Sequence, residues 1–379
     1  MKTMISSKNI LLSSLALLVG ASLAFSSCSS EPGLKPSLKP KTPTDETLNK
    51  NHDLPSKVVV TLARGHFHGK DFHGNPEIEG VKIYNANLQT ITFESTPQGL
   101  KPTADSPKVF VVMGGRNPEK TPQDPATANW RDDTFGPSTV AAGLWQYALI
   151  VKMYAQNGDE ITGQFATPEE SRIHQMFFIP KNIKSTRFGD QSRVFNPDYT
   201  FLNYYYMDTD PWTTSLHEVA QPLKERHASA EEIDAAQDKV FKGVSNPIGL
   251  KGFVEFYEPN TAFDLNIAMM HARVNKFIDG NGKTSPFYKP SARQRSGDDW
   301  NDLNITVPFV VYGHAYDDSM GDAETYEEMS EAEKRILDKL ADAYGIAQDD
   351  EEGRKTLFMD LYNSLRNVKP EDINAGIHL

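Results

Sequence analysis

The chain has 379 residues, 24 % of them charged, with a formal net charge of −12 at pH 7 and a single cysteine. This acidic balance argues against nucleic acid or an anionic membrane surface as the main partner, because both recruit a positive face. A lone cysteine excludes an internal disulfide framework and a cysteine-based zinc site, so an exported form must be held by its core.

The first element is a leader. Lys2 and Lys8 flank the start of the apolar run ILLSSLALLVGASLAF, and Ser26, Ser27 and Cys28 follow it. The run is short for a bilayer span and ends in small residues, which is the pattern of a secretory signal. Residues 1–30 resemble bacterial lipoprotein signals, with Phe25 standing where an aliphatic residue is usual. The resemblance implies removal of residues 1–27 and lipidation of Cys28, with palmitate among its acyl chains, and hence a membrane partner through the anchor. Loss of Lys2 and Lys8 takes the charge from −12 to −14.

Residues 28–54 form a tether, with Pro32, Pro36, Pro40 and Pro43 in SSEPGLKPSLKPKTPTDETLNKNHD. Proline fixes φ and removes amide donors, so this segment is expected to be extended and without a packed core. Glu31, close behind Cys28, is similar to the acidic residues that follow the cysteine in some surface-exported lipoproteins of Gram-negative bacteria. The implied location is the outer membrane, facing the cell surface.

From residue 55 the chain reads as strands. KVVVTLARGHFHG, VKIYNANLQTITFES, KVFVVMGG, LWQYALIVKMYAQNGDEITGQF and IHQMFFIP are rich in β-branched and aromatic residues and broken by Gly, Pro, Asn and Asp. They make a first β-sandwich region, residues 55–190, in which Asn157-Gly158 predicts a two-residue hairpin turn. The polar, aperiodic stretch 181–198 offers an internal boundary. A second region, 191–318, contains FLNYYYMDTD, GLKGFVEFYEP, FDLNIAMMHARVNKF and LNITVPFVVYGH. One helix lies between the groups, from Ala230 to about Phe241, started by Ser229 and Glu232 as a capping box.

A helical segment, residues 319–379, ends the chain. Apolar positions Tyr326, Met329, Ile336, Leu337, Leu340 and Tyr344, then Leu357, Phe358, Leu361, Tyr362 and Leu365, recur at helical spacing. These stripes can dock on the β region or receive a protein partner, and docking is the simpler use. The fold class is therefore mainly β: one or two antiparallel β-sandwich domains with a C-terminal two-helix appendix.

RGHFHGKDFHG, residues 64–74, holds three of the ten histidines. On a strand, His66 and His68 share a face, and His73 can fold back across a turn with Asp71 beside it. The expected metal shell is His66, His68, His73 and Asp71, with zinc or copper as the ion. The pattern is similar to a loosened H-x-H-x-D-H motif of metallo-β-lactamase-type hydrolases. One extra residue on each side of Asp71 disturbs that geometry, and the hydrolase roles are not carried over. His271, two residues after Met269 on one strand face, is a second candidate, since imidazole with thioether suits copper(I) or haem iron. Tyr204, Tyr206, Asp208, Asp210 and Trp212 make a third, in which carboxylates and rings would line a calcium or saccharide site. No G-x-S-x-G, P-loop, G-x-G-x-x-G or H-E-x-x-H occurs.

Together these features predict a surface-exposed outer-membrane lipoprotein, ligand-binding and non-enzymatic, that takes a transition metal or a metal-bearing cofactor such as haem through its histidines. The alternatives are a structural or carbohydrate-binding surface module, and a metal-dependent hydrolase.

Overall fold

A computed structural model describes residues 51–68, 71–75, 77, 80–115, 146–195, 202–243, 246–278, 282–292, 300–313, 323–366 and 376–379. The leader, Cys28 and the tether up to residue 50 lie outside these, as do His314 and the side chains of His68 and Asp71.

Eleven strands are present among the described residues: β1 (Lys57–His68), β2 (Asp71–Gly74), β3 (Leu88–Thr96), β4 (Gly99–Pro102), β5 (Phe110–Gly114), β6 (Gln146–Tyr154), β7 (His174–Ser185), β8 (Leu202–Tyr206), β9 (Lys251–Phe256), β10 (Thr261–His271) and β11 (Trp300–Gly313). They form two sheets. One runs β4-β3-β1-β6-β9-β8, with β2 also paired to β1, and the other runs β5-β11-β10-β7. All pairings are antiparallel except β5 with β11.

The sheets face each other across one apolar core. Val58, Val60 and Leu62 of β1 point inward by the two-residue alternation of a strand, and meet Leu265 and Ile267 of β10 and Val307 and Phe309 of β11. Residues of both sheets belong to this one core. Each sheet draws strands from both sides of residue 190, because pairing partners such as β7 and β10 lie on opposite sides of it. Residues 181–185 of the polar stretch are the end of β7, and residues 186–195 follow it as turns. At Asn157-Gly158 the chain does turn, with the Gly158 amide donating to Ala155 O, but only Gly158 has positive φ. The chain pairs back across this turn through a single antiparallel bridge, Tyr154 with Glu160, before a short helix, α1 (Thr162–Phe165).

Helices α2 (Leu216–Glu225) and α3 (Ala230–Val240) connect β8 to β9. The second is the one expected, with Ser229 Oγ accepting from the Glu232 amide. The first was not foreseen, although Ser215 and Glu218 form a complete capping box at its start. At the C-terminal side, α4 (Glu331–Ala343) and α5 (Glu351–Arg366) use their apolar stripes within the chain. Leu337, Leu340, Leu357, Phe358 and Leu361 are buried against Val111 and Met113 of β5, Tyr312 of β11, and Tyr84. Asp360 fixes this docking by accepting from the amides of Lys82, Ile83 and Tyr84 at 2.6–3.0 Å. Leu337 is fully buried in this second core, so Leu337→Ala is expected to lower stability by about 3 kcal/mol through lost burial and the cavity left behind. The midpoint of urea unfolding measures it.

Candidate metal centre

Three imidazoles and a carboxylate meet at one end of the second sheet. His174 is the first residue of β7 and His271 the last of β10, and the antiparallel register makes them direct partners. Asp302 comes from β11. The β10–β11 register shifts between Met269 and Met270, pairing them with Leu303 and Asn301, so Asp302 is the extra residue of a bulge. A bulge re-aims the side chain it carries, and here it delivers a carboxylate to the two histidines. The fourth member, His52, arrives from the segment before β1 and is the one that no strand supplies.

The donor atoms of these four residues all lie within 4.8 Å of one another. Asp302 Oδ2 is 2.8 Å from His271 Nδ1, 2.9 Å from His174 Nε2 and 3.3 Å from His52 Nε2. His271 Nδ1 is 3.1 Å from His174 Nε2 and 3.4 Å from His52 Nε2. A tetrahedral zinc with bonds of about 2.0 Å holds its ligands about 3.3 Å apart, so the set has the size of such a shell. The side chains are closed off from solvent, 0 % exposed for the imidazoles and 2 % for Asp302.

The other ring nitrogens decide which atoms carry lone pairs. His174 Nδ1 is 2.8 Å from the Glu170 carbonyl, and His52 Nδ1 is 3.0 Å from the Asp53 carbonyl. A carbonyl only accepts, so both Nδ1 atoms donate, and the neutral form of each ring presents a bare Nε2 to the centre. Those lone pairs face a carboxylate, which also only accepts. Such a gathering of acceptors could hold a cation, and the outer hydrogen bonds are of the kind that orient metal-bound histidines. Burial pushes the His174 imidazole down to about 4, and the His271 and His52 rings push the same way, against the Asp302 carboxylate.

Neighbouring elements keep the limbs in place. Asn51 N donates to Glu170 Oε1 at 3.0 Å, and Asp53 N donates to Gln164 Oε1 at 2.7 Å, fixing the backbone on either side of His52. Phe165 of α1 packs on both His52 and His174, with ring centroids at 4.2 and 5.1 Å. Lys276 is fully buried and donates through Nζ to the His174 carbonyl at 3.0 Å and to the Pro247 carbonyl at 2.5 Å. Burial pushes its ammonium down to about 7, opposed by Asp208.

Of the residues singled out in the sequence, His271 belongs to this centre. His66 and His73 are brought together elsewhere, as cross-strand partners of β1 and β2 with ring centroids 5.2 Å apart. His73 stacks on His378 at 4.8 Å, and His378 on His217 at 4.0 Å, so these rings form a row. The stacked planes are 17° and 15° apart, whereas the planes of His66 and His73 are inclined by 77°. Tyr204 and Tyr206 are core residues, 2 % and 3 % exposed, and Trp212 is 9 % exposed, which leaves little ring surface for a saccharide. Asp208 is spent on the backbone, accepting from the amides of Ile248, Gly249, Leu250 and Lys251 at 2.7–3.3 Å. Asp210 lies at the exposed Asp210-Pro211 turn. Met269 packs in the core, two residues from His271.

His52, His174 and Asp302 are not visible as a motif, since they sit far apart in the chain. The expected tether gives way to packed structure by Asn51, and His52 is only 7 % exposed. One signal was available: a histidine opening an apolar strand, IHQMFFIP, and another closing one, IAMMH, become neighbours if the two strands pair antiparallel. The chain matches no protein-family model, no curated protein and no solved structure.

A bound ion stabilises the fold by mass action, by about 2.7 kcal/mol at 100 times its dissociation constant. Zinc added to chelator-stripped protein is therefore expected to raise Tm in a concentration-dependent way, followed by scanning calorimetry. The same addition to His174→Ala should leave Tm unmoved.

Proposed function

We propose that the chain is a non-enzymatic, metal-binding lipoprotein, anchored through Cys28 to the outer membrane at the cell surface, with a divalent transition metal held by His52, His174, His271 and Asp302. The observation that carries the metal reading is the convergence of bare imidazole nitrogens on one carboxylate oxygen in a site without water access. Nitrogen and oxygen donors without sulfur suit zinc, copper(II) or nickel over copper(I). Zinc fits best, because it accepts tetrahedral sites of this composition and size without distortion. Donor atoms as close as 2.8–3.4 Å leave no space between them for a haem macrocycle.

A closed shell supports the non-enzymatic reading. Catalytic zinc sites keep one position for water or substrate, whereas the four protein groups here could occupy all four positions of a tetrahedral ion. The leader supports the location by its order of lysines, apolar run, small residues and cysteine, and Glu31 supports the outward-facing side.

Metal analysis of tag-free protein tests the first part. About one equivalent of zinc or another divalent transition metal per chain is expected, and His174→Ala/His271→Ala should carry none. A protein that is metal-free as isolated, and that takes up no zinc, copper or nickel in titration calorimetry, would end this reading. For the anchor, cells fed a labelled fatty acid are expected to label wild-type protein and not Cys28→Ala. Equal labelling of the two would remove Cys28 from that role.

A further inference from the structure

The four donors are closed off from solvent, so an ion reaches or leaves them only when one of the limbs that carry them moves aside. Three limbs are built into the second sheet. Gln175 and Met270 pair next to His174 and His271, and past them the Ala272 amide donates to the Ile173 carbonyl at 2.7 Å and the Lys276 amide to the Arg172 carbonyl at 2.9 Å. Asp302 sits between Asn301 and Leu303, both paired with β10. Moving any of these three breaks ladder bonds on either side of it.

His52 is held differently. Its neighbours Asn51 and Asp53 are exposed, Leu54 is 52 % exposed, and pairing with a sheet begins only at Ser56, whose amide donates to the Tyr154 carbonyl at 2.9 Å. Among the described residues three hydrogen bonds fasten the backbone and Asp53 side chain of this segment. One runs from the Asn51 amide to Glu170 Oε1 at 3.0 Å. The other two meet on one side chain: Gln164 Oε1 accepts from the Asp53 amide at 2.7 Å, and Gln164 Nε2 donates to Asp53 Oδ2 at 3.1 Å, both at the solvent-exposed surface. Segments with few and exposed hydrogen bonds open locally at far lower cost than a sheet does.

Resting on the metal reading above, we infer that Asn51–Asp53 is a strap through which the ion is exchanged, and that Gln164 is the positioning residue that fastens it. With the strap closed, His52 completes the shell and its ring lies against Phe165, next to Gln164 in α1. With the strap open, His174, His271 and Asp302 stay on the sheet as a three-donor site open to solvent. The fastening by Gln164 does not involve the donor atoms, so weakening it favours the open strap to the same extent with and without the ion. Uptake and release then quicken together.

Stopped flow on the tag-free full-length chain tests this with zinc(II) as the probe. Uptake is followed by mixing metal-stripped protein with zinc and a chromophoric chelator, and release by transfer of zinc from loaded protein to excess chelator. Gln164→Ala removes both bonds to Asp53 and is expected to raise both rates about tenfold, so that affinity changes less than either rate. Leu337→Ala weakens the second core instead and is expected to leave both rates at wild-type values. Faster release with unchanged uptake would make Gln164 a support of the closed shell only. Unchanged rates would place the route elsewhere, and equal acceleration by Leu337→Ala would mean exchange through global unfolding. Each of these overturns the inference while leaving the metal site standing. Wild-type protein that takes up no zinc overturns the metal reading itself. Should Gln164→Ala fail to fold, Gln164→Met keeps the length of the side chain while removing both bonds, and the same two rates decide.

Discussion

Lone pairs that converge out of reach of water repel one another unless a cation lies between them. At the end of the second sheet this constraint binds four distant parts of the chain. The β7–β10 register places His174 beside His271, the bulge in β11 turns Asp302 toward both, and the carbonyls of Glu170 and Asp53 orient two rings inward. Elements that look incidental become intelligible in that light. The four-residue helix α1 carries Phe165, which walls off two of the rings, and Lys276 is buried to hold the main chain at His174.

The chain contains two groupings of histidine with opposite geometry. In the candidate metal centre, ring planes are inclined by 46–78° and the nitrogens point inward. In the row His73–His378–His217 the planes are nearly parallel, and the contacts are face to face. The first geometry could share an ion. The second packs the segment around His378 against β2 and α2, next to the buried Leu379. Histidine density in the sequence points to His66, His68 and His73, of which His73 lies in this row, whereas the convergent nitrogens come from scattered positions.

Strands were legible because β-branched and aromatic runs between turn residues have few other uses, and the C-terminal helices because their apolar stripes repeat over several turns. Sheet membership was not, since whether β7 pairs with β10 depends on contacts between residues about 90 apart in the chain. Helix α2 carried its start signal at Ser215 and Glu218, but it is short and contains Pro222, which weakens the pattern. The metal centre was legible only at His271. Asp302 reaches the site through a bulge that alternation does not anticipate, and His52 follows a proline-rich stretch whose composition reads as unpacked. Asp208 shows the reverse error, because a carboxylate beside tyrosines suggests a ligand site, yet four main-chain amides already occupy it.

His52 precedes the sandwich, whereas its three companions are fixed to adjacent strands. A pull arriving from the N-terminal side would therefore reach the short segment Asn51–Asp53 before it reached β1. With an ion in place the load would pass through coordination bonds into three strands at once. Without it, the hydrogen bonds of Asn51 and Asp53 and a buried ring would carry the load. The mechanical strength of the domain would then be set by metal supply.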